Sequence, residues 1–214
     1  MGKHALAAVA LALAACGGGG PAWDEGAARA PAVNLSLPRS CARQGRVYLV
    51  PIGDLRRIHL DEIVYRYHDE YGLTLEVLSP VAPGADATDA TRRQVVAEAL
   101  AGTLSRSFPA HAQSPEAILI GVTDEDMYIR SYTWRFAFSS RFEGMAVMST
   151  ARMDPATFGE PPDSAALHAR FYKILTKNIG ALYCGFPMSD NPRSVMFGAI
   201  MSVEDLDRVD ESVW

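Results

Sequence analysis

Two lysines, Lys173 and Lys177, stand four residues apart in a mostly apolar stretch. It reads Arg170-Phe-Tyr-Lys173-Ile174-Leu-Thr-Lys177-Asn-Ile-Gly180-Ala-Leu-Tyr183-Cys184. In a helix, residues at this spacing share a face. Both side chains are ammoniums at neutral pH, so they donate hydrogen bonds and offer no lone pair to a metal. Two ammoniums on one face make a cationic pair. The same pattern also fits a solvated helix face with no ligand.

The remaining chemistry-bearing residues are scattered. His59, His68, His111 and His168 lack metal-ligand spacing to one another. Asp124, Glu125 and Asp126 cluster at the end of an apolar run, a place where sites occur in α/β sheets. A turn followed by a helix cap accounts for such a cluster equally. No serine or cysteine nucleophile sits in a recognisable elbow with a histidine partner.

The elements that must position these residues follow from periodicity. Residues 46–52 form a short apolar, β-branched run between Gly45 and Gly53, which reads as a buried strand. Residues 54–71 have a helical rhythm that ends at Gly72. A second strand covers 73–78, a second helix 89–105, and a very apolar third strand 117–123. This β-α-β-α-β order predicts parallel strands with crossover helices. Residues 134–138 alternate and 144–149 follow after a polar break, predicting a hairpin with one strand at the sheet edge. In the 170–184 helix, Phe171, Leu175, Ile179 and Leu182 recur at core-facing spacing.

The N-terminus has the pattern of a bacterial export signal over residues 1–15. Lys3 supplies the charged start, and the apolar run is too short to span a bilayer. The run closes on Leu13-Ala14-Ala15-Cys16; the other reading is an ordinary secretory signal with a chance cysteine, but the pattern is that of a lipobox, which marks Cys16 for lipidation. That would anchor the protein to a membrane lipid without a transmembrane helix. Residues 16–40 are rich in Gly, Ala and Pro and read as a flexible tether. A single domain of about 170 residues, 41–214, follows. The composition is 49% hydrophobic and the net charge is -5, which argues against a general nucleic-acid surface. With Cys16 assigned to lipid, Cys41 and Cys184 remain. In an oxidising compartment they either pair or stay as two buried thiols.

Several pieces in order carry a resemblance. Val50-Pro51-Ile52-Gly53 closes the first strand, and Arg93-Gln94 falls at the expected start of the second helix. Gly121-Val-Thr-Asp124-Glu-Asp126-Met-Tyr128 closes the third strand. Phe136-Ala-Phe138, Ala146-Val-Met-Ser149-Thr-Ala-Arg152-Met and Arg170-Phe-Tyr-Lys173 follow. The set resembles the archaemetzincins, a branch of the metzincin-type zinc metallopeptidases, over most of the domain. The 170–184 stretch fits the frame of the metzincin motif H-E-x-x-H-x-x-G-x-x-H. Gly180 is in place, but Lys173, Lys177 and Tyr183 stand at the three histidine positions. Ile174 stands at the glutamate position.

The resemblance implies an α/β, metzincin-like zincin fold. Its parts are a twisted mixed β-sheet with an antiparallel edge hairpin, two crossover helices, an active-site-type helix and a Met-turn at Met196. It implies zinc in the family, with a glutamate that takes a proton from zinc-bound water. Neither the ligands nor that base are present here. A second, four-cysteine zinc site of the family is reduced to Cys184, with Ser194 where another cysteine would stand. The expectation is therefore a lipid-anchored envelope protein with no zinc cofactor. It would be a catalytically inactive peptidase homologue that binds or scaffolds a peptide or protein in its cleft, where the metzincin layout would set Lys173, Lys177 and Tyr183 as a cationic patch for an anionic group such as a peptide C-terminus or an acidic side chain. The alternative is an active hydrolase of the family with a non-standard metal site.

Overall fold

The computed structural model describes Cys41 and residues 45–214. The export signal 1–15, Cys16 and the tether 16–40 lie outside the described residues. The elements in order are β1 (Arg46–Ile52), α1 (Leu60–Tyr71), β2 (Leu75–Val77), β3 (Thr88–Asp89), β4 (Gln94–Val96), α2 (Ala97–Ser107) and α3 (Pro109–Ala112). They continue with β5 (Ala117–Thr123), β6 (Met127–Tyr128), β7 (Ser139–Phe142), β8 (Met145–Ser149), a 3-10 turn (Pro155–Phe158), α4 (Ser164–Leu182) and α5 (Val203–Arg208).

The main sheet has five strands in the order β2-β1-β5-β8-β7. β1 runs parallel to β2 and β5, and β8 runs parallel to β5. Only β7 is antiparallel, paired to β8 from Ser139 opposite Met148 to Phe142 opposite Met145. The result is a mixed α/β fold with an antiparallel edge strand. β5 is buried along its whole length, because helices cover both faces of the sheet. Its alternation divides the core. Ile118, Ile120 and Val122 pack with α1 and α4, while Leu119 packs with α2. At Gly121 an added Cβ would lie 2.6 Å from Ile52 Cδ1 and 3.0 Å from Leu104 Cδ1, so only glycine lets α2 approach this closely.

Local chemistry sets the ends of the site-bearing helices. Asp163 caps α4 by accepting from the Ala166 amide at 3.0 Å. Ser202 and Asp205 form a reciprocal capping box at the start of α5.

Three expected elements have different limits. The helix over 54–71 begins at Leu60, because Asp124 Oδ2 accepts from the amides of Arg56 and Arg57 at 2.7 and 3.0 Å and holds 54–59 as a loop. The helix over 89–105 begins at Ala97. Asp89 Oδ1 accepts from the amides of Thr91 and Arg92, both at 3.0 Å, which turns the chain. Gln94–Val96 then pairs in a small sheet with β3 and β6, so Arg93-Gln94 opens a strand and not a helix. The hairpin is present, but its first strand is Ser139–Phe142 and not 134–138. The 134–138 segment is tied instead by single bonds. Arg92 Nη2 donates to the carbonyls of Trp134 and Arg135, and Ala137 N donates to Met127 O at 2.7 Å.

Candidate functional site

Beneath the edge strand β7 and beside α4 lies a cavity of about 340 Å³. β7 contributes Ser139, Ser140 and Arg141, and α4 contributes Ile174 and Lys177. The segment before β7 supplies Ile129, Tyr132, Trp134 and Phe136, and the segment after α4 supplies Gly198, Ile200 and Met201.

α4 presents its four motif positions to different surroundings. Ile174 is 3% exposed; it belongs to the core and closes one end of the cavity. Lys177 is 6% exposed, and its ammonium donates to the carbonyl of Phe197. Burial, and next the nearby Arg141, lower its pKa to about 8. The ammonium of Lys173 turns away from the cavity. It donates to the Leu206 and Asp207 carbonyls at 3.1 Å each, at the C-terminal end of α5, where a cation complements the helix dipole. Burial lowers the pKa of Lys173 as well, against the opposing charge of Asp207. Tyr183 ends α4, with its amide on the Ile179 carbonyl at 2.8 Å, and its ring packs against the core. The expected cationic set of Lys173, Lys177 and Tyr183 is therefore not assembled in the cavity. Lys177 alone reaches it, and its cationic neighbour is Arg141 on β7, which spacing along α4 cannot reveal.

Met196 is 2% exposed and lies under α4. A Cβ on Gly180 would stand 2.7 Å from its sulfur and 2.9 Å from Trp214 Cζ3. The turn that carries it is closed by Phe197 N on Ser194 O at 2.9 Å and by Met196 N on Ser194 Oγ at 3.1 Å. Ser194 is fully buried and serves this turn. Cys41 and Cys184 are joined, with their Cα atoms 4.6 Å apart, which fastens the start of the domain to the end of α4.

The acidic cluster is spent on bracing. Asp124 holds the 54–59 loop and accepts from Thr150 Oγ1. Asp126 takes a bidentate pair from Arg152 at 2.9 and 2.8 Å and a bond from Gln94 Nε2 at 2.9 Å. His111 sets its ring edge-on to Tyr48, with centroids 4.4 Å apart. Among the described residues no group of three or more His, Cys, Asp or Glu side chains is placed to hold a metal ion. The aromatic lining is the part that sequence reasoning missed. Tyr132 and Trp134 stack at 4.4 Å with their planes 11° apart. Their alternation with Phe136 and Phe138 was the available signal, and it reads equally well as an edge strand.

This arrangement of sheet, edge strand and α4 is shared with solved structures. A zinc-dependent peptidase from Methanocorpusculum labreanum superposes with a TM-score of 0.64 at 20% identity, over 78% of this chain and 95% of that one. The archaemetzincin from Archaeoglobus fulgidus, solved in complex with malonate, gives 0.59 at 23% identity over 79% and 95%. The fold is that of the archaemetzincins.

Sequence comparison points the same way. The chain is 27% identical over 158 residues to the archaemetzincin of Pyrococcus furiosus, covering 70% of this chain and 79% of the relative. It is 27% identical over 151 residues to that of Methanocaldococcus jannaschii, covering 71% and 79%. No protein-family model matches the chain. The archaemetzincin fold implies a zinc ion, and Lys173, Lys177 and Tyr183, the α4 residues that the sequence resemblance sets against its ligands, do not fit one. Two are ammoniums whose protons are given to backbone carbonyls, and the third polar group is a tyrosine outside the cavity. Ile174, which the same resemblance sets against the glutamate, is buried and accepts no proton.

Proposed function

We propose that this protein is an archaemetzincin homologue that has lost zinc hydrolysis and acts as a binding module in the bacterial envelope, held to a membrane by lipid on Cys16. The reading rests on one observation above the others. Lys177, at a motif position, is buried with its ammonium on the Phe197 carbonyl, beside a buried Ile174 where a base would be needed. A dication there would meet a cation in place of a lone pair, and no carboxylate lines the cavity to activate water. Met196 takes the part of the turn methionine, packed under α4 against Gly180.

The cavity keeps the position of a cleft beside an edge strand and has a size suited to a small ligand or one residue of a partner. Metal analysis of the purified, dialysed protein tests this function, together with a casein-type hydrolysis assay. The expected outcome is sub-stoichiometric zinc and no hydrolysis. Stoichiometric zinc with chelator-sensitive hydrolysis would overturn the reading in favour of a hydrolase with a non-standard metal site. The anchor is tested separately: Cys16→Ala should move the protein from the membrane fraction to the soluble envelope fraction.

A further inference from the structure

The cavity lining has a charge and shape of its own. It carries two cations, Lys177 and Arg141, and no carboxylate. Neither cation forms an ion pair among the described residues; Lys177 bonds the Phe197 carbonyl, and Arg141 Nη2 meets Met188 Sδ at 3.3 Å. A buried ammonium uses one of its three donors on that carbonyl, which leaves donors for an anion. The same cavity is lined by an aromatic cluster. Tyr132 and Trp134 are stacked yet 53% and 38% exposed, and Met201 beside them is 47% exposed. Large apolar side chains gathered at the mouth of a cavity, rather than scattered, mark a binding surface.

We propose that this cavity binds a small aromatic carboxylate, with its carboxylate on Lys177 and Arg141 and its ring against Tyr132 and Trp134. The proposal rests on the reading of the cleft as a metal-free binding site and names the ligand that such a site selects. The volume, about 340 Å³, matches a ligand of one aromatic amino acid and excludes a long polymer from being enclosed. The cations select the carboxylate through charge-assisted bonds, one from the buried ammonium of Lys177 and one from the more exposed guanidinium of Arg141. The stacked pair selects a flat, apolar body over an aliphatic one. Burial beside Arg141 leaves Lys177 with a pKa of about 8, and a bound anion restores the full positive charge.

Calorimetry on the full domain at neutral pH decides the matter. The probes are N-acetyl-L-tryptophan, its amide, N-acetyl-L-alanine and the peptide Gly-Gly-Trp. The acid should bind about tenfold or more tightly than the amide, since only the acid forms an ion pair with Lys177 and Arg141, while the neutral amide accepts weaker bonds from them. Alanine should bind far more weakly. Arg141→Gln and Lys177→Met should each abolish the preference for acid over amide, while Trp134→Ala should weaken both probes alike. Binding of Gly-Gly-Trp as strong as that of the acetylated acid would identify the ligand as a peptide C-terminus; weaker binding would identify it as a free acid. Equal affinity for acid and amide would overturn the proposal. So would an acid preference that survives both cation variants, or no binding of either probe. Trp134 is half-exposed, and the melting transition reports the fold of each variant. A negative result here leaves metal content unchanged, so it is distinguishable from failure of the zinc-free reading, which only stoichiometric zinc would produce.

Discussion

Lys177→Met should stabilise the domain at neutral pH. Lys177 is 6% exposed, and its pKa falls from 10.5 to about 8, chiefly because burial disfavours the charged form. That fall corresponds to about 3 kcal/mol of penalty on the folded state wherever the ammonium is charged in both states. Methionine fills similar volume without the charge. It leaves the Phe197 carbonyl without its donor, a loss of about 1 kcal/mol. The net expectation is about 2 kcal/mol of stabilisation at pH 7, or about 4–8 °C in melting temperature for a domain of this size. The pH dependence carries a fixed sign. The charged group facing Lys177 is Arg141, which stays protonated throughout. Between about pH 8 and 10.5 the unfolded chain binds the proton that the folded chain has lost, so wild-type stability rises with pH through this window. The variant lacks that rise, so its advantage should vanish within this window and reverse to a deficit of about 1 kcal/mol, the lost bond to the Phe197 carbonyl, by pH 10.5. Guanidinium unfolding of both proteins at pH 7, 9 and 10.5, without reductant, provides the comparison. A variant less stable than wild type at pH 7, or a difference that does not change across the window, would refute the reasoning.

Two further predictions address the frame around the site. Gly180→Ala gains helix propensity but drives a methyl group into Met196 Sδ and the Trp214 ring, at 2.7 and 2.9 Å. We expect a net loss of about 1 kcal/mol by denaturant titration, and a more stable variant would contradict the close approach of α4 to Met196. Cys184→Ser opens a loop with a sequence separation of 143 residues, and the expected loss is about 2–5 kcal/mol. Wild-type protein unfolded in reductant should show the same loss, and no difference between the two conditions would mean that the bond contributes nothing.

Much of the scaffold was legible because it depends on local pattern. β5 is a run of apolar, β-branched residues with no polar face, and it occupies 117–123 as read. The end of α1 at Gly72 follows from a left-handed φ of 63° that glycine takes without strain. The edge hairpin was legible as a pair of strands but not in its register. The aromatic alternation of 134–138 mimics a strand, and what keeps it out of the sheet is a set of bonds from Arg92 and Gln94, more than forty residues away in sequence terms. The second helix failed for a related reason. The Asp89 carboxylate turns the chain on the Thr91 and Arg92 amides, and the strand 94–96 forms between β3 and β6, which pair with it on either side.

The α4 stretch shows the boundary most plainly. By itself the sequence carried a resemblance that sets Lys173, Ile174, Lys177 and Tyr183 against the ligand and base positions of the archaemetzincin motif. Side-chain identity alone says that these groups lack the lone pairs. It also placed Lys173 and Lys177 on one helical face. Only the tertiary structure decided that they serve different ends. Lys173 closes on the terminal carbonyls of α5, while Lys177 is drawn under Phe197 and next to Arg141. Helical periodicity sets the direction in which a side chain leaves its own helix. The carbonyls, cations and rings it meets come from distant segments, and their approach is set by how those segments pack.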